Sequence, residues 1–121
     1  MALLINLEQF NDLRGCLTVI EKGIPFEIKR VFLVEGAVGY SRGGHRHKKT
    51  VQALICLNGS CIISNDNGNV KEDFHLDTSG KCLILDASDW HTMHSFSEKA
   101  ILLVLASTCY DKNDYIDEPY S

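Results

Sequence analysis

His45 and His47 are the residues of this chain best equipped for chemistry. They stand two apart in Gly39-Tyr-Ser-Arg-Gly-Gly-His45-Arg-His47, followed by Lys48-Lys-Thr-Val-Gln52 and Leu57-Asn58-Gly59. In an extended strand alternate side chains share a face, so the two imidazoles project together and Arg46 turns away. Side-by-side imidazoles have two uses: they hold a metal ion, or they move protons near neutral pH. The residue types alone leave both open.

Such a pair needs a strand to carry it and a second layer to close it in. Residues 28–35 read as a strand, 36–44 as a glycine-rich loop, 45–57 as one long strand and Asn58-Gly59 as a tight turn. Residues 60–64 pair back, 65–68 turn again, and 70–76 and 81–85 form further short strands. Residues 100–106 are continuously apolar, the pattern of a strand covered on both faces. Helical periodicity nowhere persists beyond about ten residues. Short strands with regular turns imply a β-sandwich or barrel. The polar stretch 110–120 is expected to be a tail or short helix, lying outside or across a partner. Leu3-Leu-Ile-Asn-Leu7 is apolar and suited to adding to a partner's sheet, because exposed sheet edges are normally paired or covered; a homodimer is expected.

The length of 121 residues fits one domain spanning 1–121. A content of 45% hydrophobic and 23% charged residues is that of a soluble globular protein. A net charge of −4 and a pI near 5.7 argue against nucleic acid as a partner, though not against a local Arg/Lys cluster for a phosphorylated small molecule. No apolar run approaches the roughly 20 residues that span a bilayer, so no membrane is expected. The N-terminus lacks the basic leader and long apolar core of a signal peptide. The five cysteines (16, 56, 61, 82 and 109) are odd in number, lie mostly in apolar strands and form no CxxC pair. They read as buried free thiols in a reducing, cytoplasmic setting.

The wider spacing is specific. Gly39, five residues, His45, one, His47, four, Gln52, six, Gly59 resembles the first cupin motif, with Gln52 where a glutamate is usual. Gly80, five residues, Asp86, then Ser88, Trp90-His91 and Ser95 resemble the second, with its customary proline, glycine and asparagine replaced and its histidine kept. The resemblance implies an all-β, single-domain cupin, the double-stranded β-helix or jelly roll. It would gather His45, His47, Gln52 and His91 inside the barrel. A metal-loaded cupin holds a divalent transition ion with three imidazoles and a carboxylate. An amide at position 52 is a neutral, weaker ligand.

A narrower resemblance runs from about 30 to 116. Arg42-Gly-Gly-His45-Arg-His47, Gln52-Ala-Leu-Ile-Cys-Leu-Asn-Gly-Ser60, Trp90-His91, Phe96-Ser97, Leu102-Leu-Val-Leu-Ala-Ser107, Tyr110-Asp111 and Asp114-Tyr115-Ile116 are similar to the dTDP-4-keto-6-deoxyglucose 3,4-ketoisomerases, the WxcM-like or FdtA-like small cupins. The resemblance implies dimers that need no metal or other cofactor. It implies isomerisation of dTDP-4-keto-6-deoxyglucose to the 3-keto sugar, which supplies 3-amino sugars for surface polysaccharide. His45 and His47 would move the protons through an enediol. Arg42 would bind the diphosphate or steady the enediolate, and Arg30, Tyr40, Gln52 and His91 would complete the substrate site.

The chain departs from the family at several points. Arg46 replaces an alanine between the histidines, and facing away it would alter the surface or a dimer contact. Phe32-Leu33-Val34-Glu35 stands where tyrosines are frequent, so Tyr40 is a candidate for the lost hydroxyl. The loop to Arg42 is about one residue shorter, and Asp117 replaces an arginine. His75 reads as surface, His94 as a candidate for the pocket mouth, Trp90 as packing, and Asp111, Asp114, Asp117 and Glu118 as a solvated acidic face. Two other functions compete with the isomerase: a metal-dependent oxygenase or isomerase using His45, His47, Gln52 and His91, and a sugar-nucleotide-binding cupin without catalysis. The configuration at C4 of the product is open.

Overall fold

The computed structural model describes residues 2–121. Twelve strands occur among them: β1 (Leu3–Asn6), β2 (Glu8–Asp12), β3 (Gly15–Val19), β4 (Arg30–Glu35), β5 (Arg42–His47), β6 (Gln52–Asn58), β7 (Cys61–Asp66), β8 (Lys71–Leu76), β9 (Lys81–Leu85), β10 (Trp90–His94), β11 (Ile101–Ala106) and β12 (Tyr115–Ile116). A single 3-10 turn, Lys112–Asp114, precedes β12. Two five-stranded antiparallel sheets run β1-β9-β6-β11-β4 and β12-β5-β10-β7-β8, and β2-β3 form a separate hairpin. This is the all-β jelly roll expected of a small cupin.

Two apolar layers explain the strand sequences. Leu54, Ile63, Leu83, Leu85, Leu102 and Val104 form one buried cluster. Each contributes about 1.5–3 kcal/mol by leaving water. Ala53, Ile55, Cys82, Ile84 and Leu105 point the other way, into a second cluster with Leu7, and Ile5, Ile20, Ile24 and Phe26 pack against it. The central strands β6, β9 and β11 are therefore covered on both faces, which is why they read as unbroken apolar runs. All five cysteines are free thiols; Cys56, Cys61 and Cys82 are buried as expected, but Cys16, on the exposed hairpin strand β3, and Cys109 are exposed.

Three sequence expectations are corrected. Residues 45–57 are two strands in different sheets, β5 ending at His47 and β6 starting at Gln52. The connection is held open by other segments: the Lys48 N–H donates to the Asp114 carbonyl and the Ser107 N–H to the Val51 carbonyl. The expected loop 36–44 gives up its last three residues to β5. There Gly43 and Gly44 have φ of +83° and +78°, and pairing with β10 jumps from His45–His91 to Gly43–Thr92. This is a glycine bulge, a device that re-aims the side chains beside it. A Cβ on Gly43 would lie 3.0 Å from the His91 carbonyl, so the close approach of β5 to β10 also requires glycine. Finally, β1 pairs with this chain's own β9, Leu3 opposite Ile84, rather than standing free for a partner. Among the described residues no helix is long and apolar enough to cross a membrane.

Candidate active site

Five strands, β4, β5, β6, β10 and β12, bring the candidate residues together. β5 presents His45 and His47 on its inner face, and Arg46 lies outside, its guanidinium 4.2 Å over the Tyr120 ring and its Nε donating to the Glu118 carbonyl at 3.4 Å. Arg46 thus grips its own C-terminal segment. β10 brings His91 opposite His45, with ring centres 5.2 Å apart, the same separation as His45–His47. β6 contributes Gln52 and β4 contributes Arg30. The chain 112–116 then returns along β5, Tyr115 opposite His47, and its ring lies 4.8 Å from His45 and 4.7 Å from His47.

A cavity of about 340 Å³ opens here, walled by Arg30, Phe32, Arg42, His45, Gln52 and Tyr115 among others. One of similar size, about 350 Å³, lies against the β2–β3 hairpin around Phe10 and Leu17. Of these two, the first alone contains imidazole and two guanidinium groups, and it is the candidate site. Of the sequence-derived candidates, His45, Arg30, Arg42 and Gln52 are on its wall. His47 and His91 form the buried layer in ring contact with His45. Tyr40 is 72% exposed and is not part of the wall. His94 faces outward and bonds the Ser64 and Ser95 hydroxyls. His75 is exposed, and Trp90 lines a separate cavity together with Pro119 and Tyr120.

The largest correction concerns Asp114. Read as part of a solvated acidic face, it is 3% exposed, while Asp111, Asp117 and Glu118 are in solvent. His47 Nδ1 donates to Asp114 Oδ2 at 2.9 Å, the Lys49 N–H donates to Oδ1 at 2.9 Å, and the Thr50 hydroxyl donates to Oδ2. Thr50 in turn meets Thr108 at 2.6 Å. A carboxylate can only accept, so the proton of His47 is fixed on Nδ1 and the lone pair on Nε2. His91 is set the same way, its Nδ1 donating to the Asp89 carbonyl at 3.2 Å. His47 Nε2, His91 Nε2 and Gln52 Oε1 have no partner among the described residues.

The electrostatics keep the imidazoles neutral. Burial, then the neighbouring His47, holds His45 below the ordinary histidine value, against a weaker opposing pull from Asp117. Burial also lowers His47, and the Asp114 carboxylate offsets this only in part. Burial pushes His91 down to about 4. For Asp114 burial acts upward, but the Thr50 hydroxyl, the Lys49 N–H and His47 together hold it below the usual carboxylate range. A charged carboxylate therefore faces a neutral imidazole whose free nitrogen is a base at pH 7.

Neutral imidazoles beside a cavity with two arginines and no carboxylate among its lining residues match a proton-shuttling site for an anionic substrate. The family model described as FdtA: WxcM-like, C-terminal matches residues 2–121. The chain belongs to this family. Its WxcM-like relatives include a TDP-4-oxo-6-deoxy-alpha-D-glucose-3,4-oxoisomerase of Aneurinibacillus thermoaerophilus, 45% identical over 115 residues, covering 93% of this chain and 83% of that protein. The fold superposes on a 3,4-ketoisomerase from Helicobacter canadensis with a TM-score of 0.92 at 38% identity, over 97% of this chain and 90% of that one. A sugar 3,4-ketoisomerase from Thermoanaerobacterium thermosaccharolyticum, solved in complex with TDP, gives 0.91 at 39% identity, over 97% and 88%.

Proposed function

We propose that this WxcM-like chain is a dTDP-sugar 3,4-ketoisomerase, converting dTDP-4-keto-6-deoxyglucose to a dTDP-3-keto-6-deoxyhexose on the way to surface-polysaccharide amino sugars. The observation that carries the reading is the pair of neutral imidazoles, His45 on the cavity wall and His47 behind it with its tautomer set by Asp114. A ketone at C4 acidifies the C3 proton. A neutral imidazole removes it, an enediol forms, and a proton delivered to C4 leaves the ketone at C3. The balance closes without redox partner or cofactor. His45 and His47 are assigned to proton transfer, and Arg30, Arg42, Gln52 and His91 to holding the substrate. The decisive test is incubation with dTDP-4-keto-6-deoxyglucose in D2O followed by NMR of the sugar. Deuterium at C3 or C4 with appearance of the 3-keto product is expected, and an unchanged, unlabelled sugar would exclude the isomerase.

Arg42 sits at the exposed rim of the cavity, where a guanidinium can grip a diphosphate bidentately. Arg42→Ala is expected to weaken dTDP binding by about 1.5–3 kcal/mol, the range for a hydrogen bond to a charged group. Calorimetry with dTDP measures it, and unchanged affinity would remove Arg42 from the site.

The donor set argues against a required metal ion. His45, His47, His91 and Gln52 are all neutral, and Asp114, the one carboxylate at His47, is taken up by Nδ1, Lys49 and Thr50. Among the described residues no group of three or more His, Cys, Asp or Glu side chains is set to hold a cation. Activity is expected to survive exhaustive chelation. Stoichiometric iron, manganese or zinc, with turnover lost on its removal, would favour a metal cupin instead.

We further propose a cytoplasmic homodimer of one-domain subunits. β4 is an edge of its sheet and exposes Val31 and Leu33, and the β2–β3 hairpin exposes Phe10, Leu13 and Leu17. Edges and apolar patches of this kind are usually covered. Light scattering at micromolar concentration is expected to give a dimer mass, and a monomer would refute the proposal.

A further inference from the structure

Moving a ketone between neighbouring carbons displaces oxygen-bound protons as well as carbon-bound ones. The reactant carries C3–H, O3–H and C4=O, and the product C3=O, C4–H and O4–H. As C3–H is lost, charge grows on O4, which must gain a proton, and O3 must then lose its own. Imidazoles placed against carbon do not by themselves serve the oxygens. A hydroxyl group, which both donates and accepts, is suited to serve them.

The cavity wall offers one such side chain. Phe32 and Leu33 on β4 carry no polar atom, Tyr40 is in solvent, and Tyr115 is the hydroxyl residue on the wall among those described. Its ring packs against both His45 and His47 at under 5 Å from each, so it lies beside the groups assigned to proton transfer. Arg30 Nη1 donates to the Tyr115 oxygen at 3.2 Å. The guanidinium is itself fixed, 4.6 Å over Phe32 and 5.2 Å over the Tyr110 ring. Arginine only donates, so Arg30 occupies a lone pair of the phenol oxygen and leaves its hydrogen free for another acceptor. It also polarises the O–H bond towards a developing oxyanion.

We infer that Tyr115, backed by Arg30, is a catalytic residue that donates its phenolic proton to O4 of the sugar as the C3 proton leaves and recovers one from O3–H as the new ketone forms. The phenol ends each turnover unchanged, and the sugar has exchanged C3–H and O3–H for C4–H and O4–H. The inference rests on the ketoisomerase reading and adds a residue to it.

Tyr115→Phe tests it, because the ring that packs on the histidines is kept and only the hydroxyl is lost. Three quantities are compared with wild type: conversion of dTDP-4-keto-6-deoxyglucose, dTDP affinity by calorimetry, and melting temperature. A fall in kcat of about 10²–10³, the usual cost of losing one oxyanion donor, with affinity and melting unchanged, is expected. A loss of less than tenfold would overturn the role. So would a larger loss matched by weakened dTDP binding or a lower melting temperature, since Tyr115 would then be building the site. Wild-type protein that fails to convert the sugar would sink the ketoisomerase reading itself, and this assignment with it.

Discussion

His45→Asn and His47→Asn are each expected to lower turnover by about 10²–10⁴-fold, the usual contribution of a positioned general acid or base. Asparagine keeps a polar side chain of similar reach and removes the imidazole nitrogen that takes up and returns the proton. The two losses should differ in kind. His45 is on the cavity wall, so its replacement also alters the surface that meets the sugar. His47 lies behind it, and its loss takes one of three hydrogen-bond donors from the buried Asp114 carboxylate. A lower melting temperature is therefore expected for His47→Asn and not for His45→Asn. Solvent deuterium should enter the sugar with wild type and fail to enter with the double variant. Full turnover in the double variant would make both histidines structural and leave His91 as the remaining imidazole of the cluster.

The pH profile follows from the same burial. Both histidines act as bases in the neutral form, and both are held below the ordinary value of 6.5. The acid limb of kcat/KM is therefore expected below pH 6.5, with activity rising as pH increases through it.

Much of this site was legible because β-structure has a period of two. His45 and His47 face inward together and Arg46 faces out, as alternation requires. The apolar run at 100–106 announced a strand covered on both sides, which β11 is. The strand break at 48–51 was not legible, since Lys-Lys-Thr-Val continues an extended pattern and only hydrogen bonds from remote segments bend it. The glycine pair before His45 was visible as glycine, but a bulge is defined by its partner strand, and β10 lies nearly fifty residues away. The hairpin β2–β3 is exposed along β2 and much of β3, so it carries no burial alternation to read. Asp114 was hidden for a related reason. It lies 67 residues from His47 among other acids, and nothing local separates the one that folds inward from those that do not. The signal that could have found it is the Tyr115-Ile116 pair that follows, two strand-forming residues that pin the segment to β5.

That buried carboxylate gives the second large effect. Asp114→Asn is nearly isosteric, yet the amide cannot satisfy all three of its neighbours. Lys49 N–H and the Thr50 hydroxyl both donate to the carboxylate, and so does His47 Nδ1–H. An amide has one accepting oxygen. If that oxygen keeps the Lys49 bond, its NH2 faces His47 Nδ1 and Thr50. The imidazole must then accept at Nδ1 and carry its proton on Nε2, the opposite tautomer, so the free nitrogen is no longer a base. The equivalent exchange in a serine-protease triad lowers kcat by about 10⁴ through the same tautomer error. A loss on the order of 10²–10⁴ is expected here, with dTDP affinity retained because Asp114 is not on the cavity wall. The carboxylate also raises the His47 pKa against burial, so its removal should move the acid limb of the residual activity to still lower pH. Measuring kcat/KM against pH for both proteins separates positioning from scaffolding: a purely structural aspartate would lower the rate with its melting temperature and leave the limb where it was.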